Sequence, residues 1–162
     1  MFRIKLLILL LTSSIILSCT NNQNSAFKKK FSLSYIGGEY DGLLLKNYLL
    51  SDLKNLEVYD QNSNIEIKAN ISHSTNLYIT NIDNTSDREK VSTKLSFQVV
   101  DTRLNCDLYE DEINISQFYI YASSDKFLSN QTALKKIKKD NTEATVKKLI
   151  NKLKFIKYKC DE

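Results

Sequence analysis

Apolar and polar residues alternate most regularly in the middle of the chain. There "NIEIKANIS" sets Ile65, Ile67, Ala69 and Ile71 against Asn64, Glu66, Lys68 and Asn70. A period of two gives an extended segment one apolar and one polar face, so this stretch predicts a strand, and the parity continues through Leu77 and Ile79. "KVSTKLSFQVV" repeats the pattern through Val91, Thr93, Leu95, Phe97 and Val99. A further strand, broken or bulged, is expected through Ile113, Ile115, Tyr119 and Tyr121, with Phe118 and Ile120 off parity. Turn chemistry separates the three, in "DNTSDRE" (83–89) and "DTRLN" (101–105). Upstream, "FKKKFSLSY" ends in alternation, with Phe31, Leu33 and Tyr35 on one face, and predicts a first strand that stops at Gly37-Gly38.

Two stretches change to the helical period. In "EYDGLLLKNYLLSDL", Leu45, Tyr48, Leu49 and Leu53 recur at helical spacing, Glu39 and Asp41 suit the positive end of a helix dipole, and Gly42 weakens the helix. From residue 125 to about 156 the pattern is helical throughout. Phe127, Leu134, Ile137 and Ala144 form one apolar stripe, and Val146, Leu149, Ile150, Leu153 and Ile156 form a second, rotated about the axis. "KKDNTE" (138–143) lies between the stripes and is a candidate kink or break. The order strand, helix, three-strand meander, helix predicts a two-layer α+β sandwich, a four-stranded mixed sheet covered on one face by two helices. It would occupy residues 31–157, followed by a tail at 158–162, and the pattern does not say which edge the first strand joins.

The most hydrophobic run, "LLILLLTSSIIL" (6–17), belongs to none of these elements. Arg3 and Lys5 precede it, which is the layout of a signal peptide. Twelve residues would span roughly 18 Å as a helix, against the ~30 Å of a bilayer's hydrocarbon core. Ser18-Cys19 then has the form of a bacterial lipobox, with Ile16 where Leu is usual. The expectation is a leader at 1–18 that is removed, a diacylated Cys19 as membrane anchor, and a polar tether over 19–30. An ordinary secretory leader with an incidental cysteine is the alternative. Thr20 after the cysteine favours the outer membrane by the sorting habit of lipoproteins.

The chain has 162 residues, about one domain's worth. Its net charge is +4 from 23 basic and 19 acidic residues. Loss of Arg3 and Lys5 with the leader leaves 21 against 19, a mature charge of +2. That is too mild to imply a nucleic-acid partner.

Candidate chemistry is sparse. His73 is the one histidine; it shares a face with Ile71 and has no recognisable nucleophile or carboxylate cluster around it, so a structural or surface role is favoured over a general base. "YEDEI" (109–113) clusters three acids that could hold a cation, although a solvated turn is the simpler reading. No Gly-rich phosphate loop, G-x-S-x-G, H-E-x-x-H or C-x-x-C occurs. A non-enzyme without metal or cofactor is expected.

Cys106 and Cys160 remain as a candidate disulfide, which an oxidising compartment permits. A strand over 107–121 would run roughly 50 Å, and a helix over 126–156 roughly 46 Å. Packed back along the strand, that helix would return the chain end to Cys106. Two free thiols are the alternative. Ten lysines between Lys135 and Lys159 read as a solvated helix face, or, more sharply, as a surface for anionic lipid or phosphate.

With "LSC" at the lipobox, the strand-helix-meander-helix order, "KLSFQVVD" (94–101) and "QFYIYASSDKFLSNQTALKKIKKDNTEATVKKLINKL" (117–153), the chain resembles the LPS-assembly lipoprotein family LptE over roughly 31–153. In that family, too, a final strand passes through a Ser/Asp turn into a long helix, whose start and end resemble Ala133-Leu134 and the pair Ile150 and Leu153. It departs where "TNNQNSAF" replaces the Gly and aromatic residue that commonly follow the lipid cysteine, and where the family's Pro and Gly positions are largely absent. The resemblance implies an outer-membrane lipoprotein on the periplasmic side that plugs the lumen of the LptD β-barrel. There it would assist barrel assembly and the passage of lipopolysaccharide to the cell surface. A pilotin-like or barrel-assembly lipoprotein, a lipid-binding carrier, and a hydrolase with an unrecognised site are the competing readings.

Overall fold

The computed structural model describes residues 27–79, 87–120, 126–158 and 160; the expected leader, Cys19 and the first part of the tether lie outside these. The elements run β1 (Ser32–Gly37), α1 (Glu39–Asn55), β2 (Ile65–Ile79), β3 (Asp87–Asp101), β4 (Cys106–Ile120) and α2 (Phe127–Leu153). The sheet order is β1-β2-β3-β4. β1 takes the edge beside β2 and runs parallel to it, with α1 as the crossover, while β2, β3 and β4 form the antiparallel meander. The α+β sandwich with a mixed four-stranded sheet is therefore the observed architecture.

The alternation explains the register. β2 pairs β3 without interruption from Ile65 opposite Asp101 to Ile79 opposite Asp87. Apolar residues of like parity thus meet across the strands, Ile67 beside Val99 and Ile71 beside Leu95, and Leu95 in turn faces Ile113. That face packs against Leu45, Leu49 and Leu53 of α1 and Val146, Leu149 and Leu153 of α2, all of them fully buried. Each such side chain contributes about 1.5–3 kcal/mol relative to exposure.

Several details differ from expectation. The irregularity in β4 sits at its start, where the register shifts between Val99 and Val100. Phe118 and Ile120 lie in a regular strand and point away from the helices, 55% and 73% exposed. β3 begins at Asp87, inside the segment expected to turn. In β1 a register shift between Leu33 and Ile36 breaks the parity, so Ile36 packs on the core while Tyr35 is 63% exposed. α2 is continuous through 138–143, because Asn141 and Thr142 there are turned into the protein and fully buried. Phe127, expected on the inner stripe, is 59% exposed.

The packed core also reaches beyond the expected domain limits. Phe27 is buried and meets Phe31 edge to face at 6.1 Å, and Tyr158 lies 6.4 Å from the same ring. Gly38, at φ 115°, starts α1, and a Cβ there would lie 2.5 Å from the Ile71 carbonyl oxygen. The Gly42 that weakens α1 on propensity lets the helix approach β1, since its Cβ would lie 2.6 Å from the Gly37 carbonyl oxygen.

Candidate functional surfaces

Midway along the sheet the inner layer turns from apolar to polar. Beyond Ile71 on β2 the next inward position is His73, opposite Thr93 of β3, and α2 delivers Asn141 onto the same spot. Gln117 Nε2 donates to Asn141 Oδ1 at 2.8 Å. Asn141 Nδ2 donates to Thr93 Oγ1 at 3.0 Å and reaches the Val91 carbonyl at 3.4 Å. Thr93 Oγ1 lies 2.7 Å from His73 Nδ1. Since Thr93 already accepts from Asn141, its single hydroxyl hydrogen is free to donate to Nδ1. In the tautomer that accepts at Nδ1, the imidazole proton is on Nε2, which is buried, has no hydrogen-bond partner among the described residues, and lies 3.8 Å from Asp41 Oδ2.

The His73 side chain is 1% exposed. Burial is the main force holding its pKa below the usual histidine range; Asp41 opposes this and Lys138 adds to it. A group with a depressed folded pKa binds more protons in the unfolded chain, so its contribution is fully present above pH 6.5 and is lost as pH falls through the folded value. As the sole histidine, His73 gives an unambiguous imidazole signal in a proton NMR titration. The expected midpoint lies below 6.5, and one at or above 6.5 would contradict the buried network.

The acids of 109–113 do not form one site. Tyr109 and Asp111 face the helices: the Tyr109 hydroxyl donates to Asp111 Oδ2 at 2.6 Å, and Lys152 Nζ of α2 pairs with the same oxygen at 2.5 Å. Those bonds, Lys152 first, bring the Asp111 carboxyl down to about 2. Glu112 points to the opposite face and pairs with Lys94. Alternation thus divides the acids between two faces, and no group of potential metal ligands occurs among the described residues. Most lysines of α2 are exposed, as on a solvated helix face.

Cys106, the first residue of β4, and Cys160, just past α2, are joined by a disulfide across 54 residues, with Cα atoms 6.0 Å apart. α2 runs back along β4, as Lys152 beside Asp111 shows, and this brings the two ends together. Among the described residues, no element covers the other side of the sheet. It carries Lys68 and Asn70 from β2, Lys94 and Gln98 from β3, and Glu112 and Asn114 from β4, a polar stretch beside Tyr35 that gives way to the exposed Phe118 and Ile120 at the end of β4.

The buried Asn130, Asn141, Thr142 and Thr145 escaped the pattern of apolar residues. The available signal was position: Asn141 and Thr145 continue the i, i+4 series from Ile137.

No protein-family model and no curated protein matches the sequence. In fold, the domain is similar to small bacterial lipoproteins. Rare lipoprotein B from Shewanella oneidensis superposes with a TM-score of 0.63 at 13% identity, covering 77% of this chain and 93% of that one. A minor lipoprotein from Acinetobacter baumannii gives 0.58 at 15% identity, covering 78% and 90%. At these identities the likeness is one of fold.

Proposed function

We propose that the chain is an outer-membrane lipoprotein, anchored through a diacylated Cys19, whose folded domain plugs and helps assemble an LptD-type β-barrel and aids the passage of lipopolysaccharide to the cell surface. The carrying observation is the largely polar sheet face, on which no element packs among the described residues, on a fold similar to rare lipoprotein B. Such a face is suited to the polar lumen of a barrel. The sheet is narrow, roughly 14 Å between its edge-strand axes for four strands. The role is binding rather than catalysis. A lipid carrier would need space between sheet and helices, and Leu45, Leu49, Ile67, Leu95 and Leu149 fill that layer.

Affinity purification of the full-length protein from outer membranes is expected to recover a large LptD-like barrel; recovery of a secretin or another assembly barrel instead would refute the assignment. Cys19→Ala is expected to release the protein from membranes or leave it uncleaved. Mature Cys19→Ala protein still membrane-bound without its partner would overturn the anchor.

A further inference from the structure

Lys28, Lys29, Lys154 and Lys157 surround a depression at the end of the domain, whose remaining lining is Phe155, Ile156 and Tyr158. No acid lines it. Three lysines elsewhere meet carboxylates, Lys94 with Glu112, Lys147 with Glu143 and Lys152 with Asp111, and others stand singly along α2. Here Lys154 donates to the Asn151 amide oxygen and lies 5.9 Å from the Phe27 ring centroid, while Lys28, Lys29 and Lys157 form no ion pair among the described residues. Four lysines line it, and in the sequence alone Lys159 stands against Asp161 and Glu162 at the end of the chain. Beside them Phe155 is 83% exposed. Uncompensated ammonium groups around an exposed ring repel one another in water and favour an anionic, partly apolar surface.

Chain length says which surface is within reach. The chain joins the core at Phe27, next to Lys28 and Lys29. With Cys19 as the lipid-bearing residue, which rests on the function proposed above, eight steps separate the acyl chains from Phe27. Fully extended they reach at most about 29 Å, and as a flexible coil roughly 16 Å. The lysines are therefore held beside the bilayer that carries the anchor.

We propose that this depression seats the phosphate-bearing headgroups of anionic lipids in that bilayer, with Phe155 entering the headgroup layer. Lys28, Lys29, Lys154 and Lys157 supply the charge, and Ile156 with Tyr158 forms the floor. The domain then stands on the end that holds its disulfide, with the end of β2 and the start of β3 directed away from the membrane.

The sequence contains no tryptophan, so Phe155→Trp adds a single reporter. The lipidated Phe155→Trp protein is reconstituted into phosphatidylcholine vesicles with or without phosphatidylglycerol. In phosphatidylglycerol vesicles the emission should shift to the blue and be quenched by brominated acyl chains at least twofold more than in pure phosphatidylcholine. High salt should reverse this, as should combining Lys28→Gln, Lys29→Gln and Lys157→Gln. A Leu128→Trp reporter at the far end of α2 should stay in water. Equal quenching in the two vesicle types, or quenching unchanged by the lysine substitutions, would overturn the proposal. A similar emission shift with inorganic phosphate alone would overturn it in favour of a free-anion site. Absence of the diacyl mass on Cys19 would remove the anchor only. The unacylated chain 20–162, which keeps every described residue, would then decide for the seat by sedimenting with phosphatidylglycerol vesicles and not with phosphatidylcholine, or against it by failing to.

Discussion

Replacing Cys160 with Ser is expected to lower the unfolding free energy by about 4 kcal/mol, the chain-entropy value for a bridge across 54 residues. The bond closes β4 and all of α2 into one loop, so the unfolded chain regains the freedom of both when it is cut. Its removal also frees the segment that places Ile156 and Tyr158 against the core. For a domain with typical stability of 5–15 kcal/mol, that is a large fraction of the total. Urea denaturation of the oxidised protein, the reduced protein and Cys160→Ser should show the same lowered midpoint for the last two. A midpoint unaffected by reductant would show that the bridge constrains nothing the packing does not already hold.

Asn141→Leu should cost about 2–4 kcal/mol, although leucine has the same number and branching of side-chain heavy atoms as asparagine and suits a helix better. Asn141 is fully buried and connects three groups from two strands. Without it Gln117 Nε2 loses its acceptor, and Thr93 Oγ1 and the Val91 carbonyl lose a donor. Burial without a partner costs these groups much more than the hydrogen bonds contribute on balance. The cost should shrink when the partners are removed as well. In a Thr93→Val, Asn141→Leu, Gln117→Leu variant, the summed penalties of the single changes should exceed the measured loss, read from the same urea curves. Strict additivity would mean that the groups act independently and do not form a network.

The meander and both helices were legible because each obeys one period over many residues. Ile65 to Ile71 and Val91 to Val99 alternate cleanly, and Leu45, Leu49 and Leu53 recur at four. β1 was harder. A six-residue strand has little periodicity to show, and its register shift sends Tyr35 outward. Its parallel seat beside β2 depends on the route α1 takes, which local pattern does not encode. α2 misled for a related reason. Asn141 and Thr142 look like a helix breaker between two stripes, whereas the sheet beneath them presents Thr93 and Gln117 and accepts polar partners. Among candidate sites, the cysteine geometry followed from element lengths, while the lysine-lined depression needed Lys28 and Lys157 brought together from opposite ends of the chain.

The order of strands in the sheet, identical to their order along the chain, bears on how the domain is made. Every strand finds its sheet neighbour in the segment just before or just after it. Pairing can then proceed in the direction in which a chain emerges, β1 and α1 meeting β2 as it arrives, and β3 and β4 folding back in turn. Sequence-local pairing of this kind shortens the search and speeds folding. It also limits how long the apolar edge of β2 waits uncovered, the interval in which a sheet protein is most exposed to aggregation.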